Sequence, residues 1–246
     1  MPIDIGVQLY SVRDQLAADR AVTLERIAAL GFTSVEPYNP ADDPQGFRRL
    51  ADDLGLRVSS SHASSLLTDP DAAFEAVAIL GTRHAILAGG IPEHEFTTLD
   101  GLARTADLLV GLSEQAAKHG VQVGYHNHWW EIEPRFDGRP ALAVLAELLP
   151  PEVFLEVDTY WAAVGGADVP ALLAELGGRV GFLHVKDGPV KHGEAHTAVG
   201  SGAMDVPPIL AASPDAVRIV ELDDCDTDLF EALGASHAYL SGLGHS

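Results

Sequence analysis

Three apolar segments in the second half of the chain each run into a side chain that can bind a metal ion. They read VFLEVD, VGFLHVKD and VRIVELD, and their metal-competent residues are Asp158, His184 and Glu221. Carboxylate oxygens and imidazole nitrogens both bind divalent cations. The sequence therefore predicts one metal site where the ends of three strands meet.

The alternation of side chains along a strand groups these residues with others. His184 and Lys186 share one face of their segment, as Glu156 and Asp158 do of theirs. Many strands end in a polar residue where they reach solvent, but three successive ends of this kind favour a common site. Glu156 fits either a buried ion pair with Lys186 or a catalytic role, and the sequence leaves both open.

Eight short apolar segments alternate with eight helical stretches, several of which end at a glycine. The predicted strands are Ile3–Leu9, Ser34–Glu36, Arg57–Ser61, Ala85–Ala88, Val121–Tyr125, Val153–Val157, Val180–Val185 and Arg218–Leu222. The longest predicted helix covers Leu99–Lys118 and the last covers Leu229–Leu240. This order predicts an α/β fold, a (β/α)₈ TIM barrel, with residues 1–246 as a single domain. An open doubly wound sheet is disfavoured because no phosphate-binding glycine fingerprint follows the first strand.

Further polar residues follow the early strands, at the end of a barrel where active sites lie. Gln8 and Tyr10 follow the first strand, Glu36 ends the second and His62 follows the third. We predict that all four contact substrate, although rim packing, solvation and local hydrogen bonds are the plainer explanations. Trp161 is predicted to join them, because sugar faces stack on such rings, although packing in the wall also accounts for it.

Composition limits the classes of partner. Thirty-six acidic residues against fifteen basic ones give a net charge of −21, a field that repels nucleic acid. No apolar run approaches the ~18 residues of a membrane span, and no signal peptide is apparent. Cys225 is the only cysteine, so an internal disulfide is excluded. We expect a cytoplasmic protein that binds neither nucleic acid nor membrane; its apolar helices are compatible with a homodimer.

Six motifs, in order along the chain, match a known family: QLYSVR, GFTSVE, YHNH, DTYW, LHVKD and VELD. On these motifs the chain resembles the sugar phosphate isomerase/epimerase group of the xylose-isomerase-like TIM barrels. The motifs extend from Gln8 to Asp223, so the resemblance covers nearly the whole chain. It is fairly specific for the superfamily and weak for the substrate.

The resemblance implies one divalent metal ion, Mn²⁺, Mg²⁺, Co²⁺ or Zn²⁺, bound by strand-end Glu, Asp, His and Glu residues. Three of these positions match Asp158, His184 and Glu221. The fourth, a strand-5 glutamate that also moves a proton in the ketose epimerases, falls on Gly124. We predict His126 as the replacement ligand, because a neutral imidazole binds any of these ions.

The resemblance further implies an isomerase or epimerase that acts on a keto-sugar or related polyol through an enediolate. Glu221 is the predicted base, and Lys186 the predicted proton donor or oxyanion partner. His128 is assigned to catalysis and Asn127 to substrate binding. The missing strand-5 glutamate keeps a dehydratase or hydratase of a keto-sugar or inosose open as the alternative.

Two other functions are less favoured. A non-catalytic barrel that binds sugar fits the same residues. The related barrel endonucleases that cut damaged DNA fit the charge of −21 poorly. The small number of Lys and Arg residues favours an unphosphorylated sugar or cyclitol as the substrate.

Overall fold

The computed structural model describes residues 5–243, which contain one large parallel sheet and a short hairpin. Nine strand segments form the sheet: β1 (Ile5–Gln8), β2 (Ser34–Glu36), β3 (Arg57–Val58), β4 (Ser61–His62), β5 (His84–Leu87), β6 (Gln122–His126), β9 (Phe154–Asp158), β10 (Val180–Val185) and β11 (Val217–Val220). The hairpin pairs β7 (Arg135–Phe136) with β8 (Arg139–Pro140). The sheet order is β3-β2-β1-β11-β10-β9-β6-β5-β4, so each strand lies beside its neighbours in the chain.

The two edge segments, β3 and β4, are halves of one strand that is interrupted at Ser59 and Ser60. The first half pairs with β2 and the second half with β5, all in parallel. Nine segments thus occupy eight positions around a nearly closed barrel. The predicted (β/α)₈ barrel is confirmed, while the predicted continuous strand Arg57–Ser61 is divided. The predicted first strand starts at Ile3, which lies outside the described residues.

Within residues 5–243, ten α-helices cover the outside of the barrel. They are α1 (Arg13–Ala18), α2 (Arg20–Ala29), α3 (Pro44–Asp53), α4 (Pro70–Ile79), α5 (Leu99–Ala117), α6 (Ala141–Leu148), α7 (Thr159–Val164), α8 (Val169–Leu176), α9 (Val206–Ala212) and α10 (Leu229–Leu243). The long helix predicted at 99–118 and the last helix predicted at 229–240 are both present. Within residues 5–243, no helix has the length and apolar character that a membrane crossing requires.

Local sequence signals explain several helix bounds. Asp69 and Asp168 precede α4 and α8, and their side chains accept the N–H groups of Ala72 and Ala171 at 3.3 and 3.1 Å. Each such cap stabilises the first turn by about 1 kcal/mol. After α4, Gly81 takes a left-handed conformation with φ of 82°, which ends the helix and turns the chain towards β5.

The interior of the barrel has an apolar floor. The rings of Phe154 and Phe182 lie 5.4 Å apart between centroids, and His84 contacts both rings edge-on. Both Phe side chains precede, by two strand positions or more, the polar residues at the carboxyl ends of β9 and β10. Because the two Phe rings come earlier along β9 and β10, this aromatic layer lies below the polar residues, which are nearer the carboxyl ends of the strands.

Candidate active site

The three predicted metal ligands converge, and we call them the ligand triad: Asp158, His184 and Glu221. Asp158 and His184 are register partners on β9 and β10, and Glu221 directly follows β11. Their candidate ligand atoms all lie within 4.8 Å of one another, and all three side chains are buried. Two carboxylates and one imidazole form a donor set that suits a divalent cation.

The His184 ring bridges two carboxylates. Its Nδ1 lies 2.8 Å from Glu221 Oε2 and its Nε2 lies 2.8 Å from Glu36 Oε1. Burial disfavours the charged ring, but Glu156 and Glu221 outweigh that effect and raise the pKa of His184 well above its ordinary value. A cation bound at Nδ1 would displace a proton, while Nε2–H would still donate to Glu36, the usual support for a ligating imidazole.

Gln8 and Glu36 lie beneath this ring. Gln8 Nε2 donates to Glu36 Oε1 at 2.6 Å, and the Ser60 hydroxyl donates to Glu36 Oε2. Burial, with a further contribution from Glu156, raises the pKa of Glu36. Neither side chain lines the cavity described below, so their predicted substrate contacts gain no support from these positions. Sequence reasoning missed the contact of Glu36 with His184, which joins strands on different sides of the barrel.

Glu156 joins three imidazoles, and we call this group the imidazole cluster: Glu156, His62, His126 and His184. Glu156 Oε2 lies 2.6, 3.0 and 3.3 Å from nitrogens of the three rings in that order. Burial opposes ionisation, but His184 and His62 lower the pKa of Glu156 well below its ordinary value. Among the described residues, Glu156 forms no ion pair with Lys186, although the sequence leaves that pair open. These four residues also lie close enough together to hold a cation.

His126 belongs to the imidazole cluster and lies beside the ligand triad. Its Nδ1 donates to Glu156 at 3.0 Å, because a carboxylate only accepts, and its Nε2 lies 3.8 Å from Asp158 Oδ2. Burial lowers the pKa of His126 to about 3, so the ring is neutral at pH 7. Its Nε2 is on the side of Asp158, and His126 as the fourth metal ligand stays a prediction.

His128 faces the cavity instead. Its ring stacks on Trp130 with centroids 4.1 Å apart, and its buried Nδ1 has no hydrogen-bond partner within residues 5–243. Burial, with a smaller contribution from His126, lowers the pKa of His128 well below its ordinary value. His128 is therefore a neutral imidazole that lines the cavity while its Nδ1 is buried.

Gly124, where the resemblance expects a glutamate, has no room for a side chain. It is the register partner of Phe154, and a Cβ atom at Gly124 would overlap the Phe154 ring. The aromatic floor thus occupies the volume that a strand-5 glutamate would enter.

Lys186 contacts three carboxylates. Its Nζ lies 2.9 Å from Asp158 Oδ2, 2.5 Å from Glu221 Oε2 and 2.9 Å from Asp223 Oδ2. Burial opposes the charge, but Asp158 and Glu221 raise the pKa of Lys186 well above its ordinary value, so it stays an ammonium. Burial raises the pKa of Asp158 to about 6, whereas Lys186 and His184 overcome the effect of burial and lower that of Glu221. Asp223 was not predicted, although it follows Glu221 at the same strand parity.

A cavity of about 480 Å³ opens above the ligand triad. Its aromatic wall consists of Tyr10, Tyr38, Trp129, Trp130, Trp161 and His192. The charged and imidazole side chains that line its base are His62, His126, His128, Lys186, Glu221 and Asp223. Of the predicted substrate contacts, Tyr10, His62 and Trp161 line this cavity.

Asn127, also predicted to contact substrate, does not line the cavity. Its side-chain oxygen accepts the N–H of Asp158 at 3.0 Å, and its amide nitrogen donates to the Asp158 carbonyl at 3.3 Å. These two bonds join the ends of β6 and β9. Asn127 thus fixes the backbone that carries a member of the ligand triad.

Sequence reasoning also missed Glu131, which is buried behind the cavity. Its Oε1 accepts the Tyr125 hydroxyl at 2.6 Å and its Oε2 accepts the N–H of His128 at 2.8 Å. Burial raises the pKa of Glu131 to about 7. Glu131 holds the turn that carries His128 and Trp130; an acid within the aromatic run YHNHWWE was the available signal.

The chain matches a family described as the xylose isomerase-like TIM barrel over residues 24–212. With the barrel and the strand-end site in place, the chain belongs to the xylose isomerase-like TIM barrel family. No curated protein matches the chain in sequence.

Several solved structures share the fold. A sugar phosphate isomerase/epimerase from Parabacteroides distasonis is 24% identical, with a TM-score of 0.76 over 98% of this chain and 94% of that chain. The probable 3-DHS dehydratase AsbF of petrobactin synthesis from Bacillus anthracis is 12% identical, with a TM-score of 0.78 over 97% and 99%. The IOLI protein with a bound zinc atom is 14% identical, with a TM-score of 0.77 over 98% of both chains.

Proposed function

We propose that this protein is a divalent-metal-dependent isomerase or epimerase of a keto-sugar or related polyol. The observation that carries the proposal is the convergence of the ligand triad within 4.8 Å beneath a cavity with an aromatic wall. Membership of the xylose isomerase-like family and the fold shared with a sugar phosphate isomerase/epimerase support the reaction class.

Asp158, His184 and Glu221 would hold the ion, with His126 as the adjacent fourth donor. When bound, a divalent ion supplies a Lewis acid that polarises a substrate carbonyl and stabilises an enediolate. The imidazole donors favour Mn²⁺, Co²⁺ or Zn²⁺ over Mg²⁺, which prefers oxygen. The zinc atom in the IOLI structure supports the same choice.

The cavity residues have different roles in the reaction. The Glu221 carboxylate removes the proton from the carbon next to the carbonyl. Lys186 Nζ donates a hydrogen bond to the oxygen on which negative charge develops. The Glu221 carboxylic acid formed in that step returns its proton to the intermediate, and the neutral ring of His128, which lines the cavity, hydrogen-bonds a substrate hydroxyl group. Rings of the aromatic wall, Trp161 among them, stack on the apolar face of the sugar.

The charge of the cavity favours an unphosphorylated substrate. Among the lining residues that the structure describes, Lys186 is the only Lys or Arg, and three carboxylates already surround its ammonium. A phosphate group is usually held by Arg or Lys side chains whose charge is free to meet it. A neutral sugar or cyclitol can pack against the aromatic wall without a free Arg or Lys side chain.

A dehydratase is the second candidate, and the contact between Gly124 and Phe154 favours it. The aromatic floor excludes the glutamate that moves a proton in ketose epimerases, which leaves Glu221 and Asp223 as the carboxylates that line the cavity within residues 5–243, with Glu221 as the proposed base. Loss of a β-hydroxyl from the enediolate needs one base and one acid. The fold shared with a probable 3-DHS dehydratase supports this reading.

Metal-free protein incubated with Mn²⁺ and a panel of keto-sugars and inososes in D₂O separates these functions. Incorporation of deuterium with no other mass change indicates isomerisation or epimerisation, and loss of one water indicates dehydration. Asp158→Asn protein is the matched control and should exchange nothing. If no substrate exchanges a proton in the presence of metal, a non-catalytic sugar-binding barrel replaces the proposal.

A further inference from the structure

The Lys186 ammonium contacts the same two carboxylates that a cation in the ligand triad would need. It lies 2.9 Å from Asp158 Oδ2 and 2.5 Å from Glu221 Oε2. Those two oxygens also face the imidazole donors, since Glu221 Oε2 is 2.8 Å from His184 Nδ1 and Asp158 Oδ2 is 3.8 Å from His126 Nε2. Lys186 and a bound cation therefore compete for both carboxylates.

The negative charge of the nearby carboxylates can balance both the Lys186 ammonium and a divalent cation, provided that Lys186 changes its contacts. Three carboxylates, those of Asp158, Glu221 and Asp223, surround one ammonium. One ammonium plus one divalent cation equals the charge of three carboxylates. Electrostatic attraction would therefore keep the Lys186 ammonium in the cavity after it loses its contacts with Asp158 and Glu221.

Asp223 is the partner that remains. Its side chain is 30% exposed, against 0% for Asp158 and 6% for Glu221, so it lies at the outer side of the group. Its backbone is fixed at both ends, because its N–H donates to His196 Nδ1 at 3.1 Å and its carbonyl accepts from Arg13 Nη1 at 3.0 Å. A carboxylate on so fixed a backbone can hold an ammonium at the substrate side of the cavity.

We propose that Lys186 is the counter-cation of the ligand triad when no divalent cation is bound, and that Asp223 is the positioning residue that retains Lys186 when a divalent cation binds. This inference rests on the proposed metal site. Asp223 then holds the ammonium at the edge of the cavity, where it can donate to a substrate oxygen. Trp161, whose ring centroid lies 5.6 Å from Lys186 Nζ, borders the same position.

A double-mutant cycle read out as the affinity for Mn²⁺ tests the proposal. Calorimetric titration with MnCl₂ alone compares the wild type with Lys186→Met, Asp223→Asn and the double variant. Lys186→Met should bind Mn²⁺ about 10–100-fold more tightly, in the range seen for groups around metal ligands, because the competitor is gone. Asp223→Asn should bind about tenfold more weakly, because Lys186 has no remaining partner.

The double variant separates positioning from simple attraction between Asp223 and the metal. If Asp223 acts through Lys186, Asp223→Asn should change the affinity by less than about twofold in the Lys186→Met background. An equal loss in both backgrounds would overturn the role of Asp223. Lys186→Met protein that binds Mn²⁺ no more tightly than the wild type would overturn the competition.

Two further variants keep the test decisive. Lys186→Gln replaces Lys186→Met should the apolar side chain prevent folding, and the same gain in affinity is expected. Asp223→Glu should restore wild-type affinity, since it keeps the carboxylate. Wild-type protein that binds no Mn²⁺ would refute the metal site itself, whereas wild-type binding without the predicted coupling would refute only this inference.

Discussion

The two carboxylate oxygens of Asp158 have different tasks. Oδ1 accepts the N–H of Trp161 at 2.8 Å and so caps the first turn of α7. Oδ2 faces Lys186 and His126 on the cavity side. Asp158 therefore ends β9, caps α7 and is a proposed metal ligand. The cap fixes the rotamer of its side chain before any cation binds.

Asparagine and alanine at position 158 should separate these tasks. Asp158→Asn keeps a side-chain oxygen for the cap, so the free energy of unfolding without metal should stay within about 1 kcal/mol, while Mn²⁺ binding is lost. Asp158→Ala should lose both the metal and about 1 kcal/mol more stability than the asparagine variant. Urea denaturation and metal titration measure the two effects. Undiminished Mn²⁺ binding by Asp158→Asn would exclude Asp158 as a ligand.

Glu131 should make stability depend on pH. Its pKa is about 7 in the folded protein against an ordinary 4.5, so between these values the folded state holds a proton that the unfolded state releases. The contribution of protonated Glu131 is complete below pH 4.5 and is lost as the pH rises through 7, a change of about 3 kcal/mol. Glu131→Gln cannot ionise and should escape that loss.

Urea denaturation at pH 4.5 and pH 8 gives the test. The stability of Glu131→Gln relative to the wild type should improve by about 3 kcal/mol from the lower to the higher pH. Glu75→Gln, at an exposed position of α4, is the control and should show no such change. A pH-independent difference for Glu131→Gln would mean that the buried carboxyl is ionised throughout this range.

Single residues differ in how far the sequence predicts them. Asp158, His184 and Glu221 are predictable because each ends an apolar strand and consecutive barrel strands are neighbours in space. Glu131 and Asp223 depend on which rotamer carries a carboxylate across a turn or towards an ammonium. A pattern of residue types along the chain carries no such information.

At the scale of elements, the contact between β6, the fifth strand position of the barrel, and β9 limits the size of the side chain at position 124. Even the methyl group of Gly124→Ala would overlap the Phe154 ring. The Phe154 ring is packed against other rings and can move little to avoid the overlap, so we expect a loss of about 1–3 kcal/mol in the free energy of unfolding. In a Phe154→Leu background the added methyl group should cost much less, a coupling that chemical denaturation of the four proteins measures.

Gly111→Ala, in the middle of α5, is the matched control. Nothing lies within 4 Å of a Cβ atom there, and alanine is favoured over glycine in a helix by up to about 1 kcal/mol. It should stabilise the protein. If Gly124→Ala is equally stabilising, the Phe154 ring does not exclude a side chain at position 124 of β6.

Most elements follow from the sequence because a barrel strand is apolar on both faces and its helix is amphipathic. The long helix predicted at 99–118 is observed at Leu99–Ala117. The break at Ser59 and Ser60 is not predictable in this way, since it arises where one strand leaves β2 and joins β5. The roles of Gln8 and Glu36 are hidden for a related reason, because barrel closure buries them beneath His184.

At the scale of the whole molecule, the net charge of −21 separates small-molecule chemistry from nucleic-acid chemistry. Binding to DNA depends on basic groups that neutralise phosphates, and this surplus of acidic residues opposes it. We expect no shift of an abasic DNA duplex in a gel at physiological salt, even at micromolar protein with Mn²⁺ present. A salt-sensitive shift would return the DNA-cleaving barrels to consideration.

We propose that Asp158, His184 and Glu221, which meet at one end of the nearly closed barrel, hold one divalent cation. Anomalous diffraction from crystals grown with Mn²⁺ tests it most directly. We predict a single strong peak bound by an oxygen of Asp158, an oxygen of Glu221 and Nδ1 of His184. A peak held by the imidazole cluster without Asp158 and Glu221, or no peak at a saturating concentration of Mn²⁺, would contradict the claim.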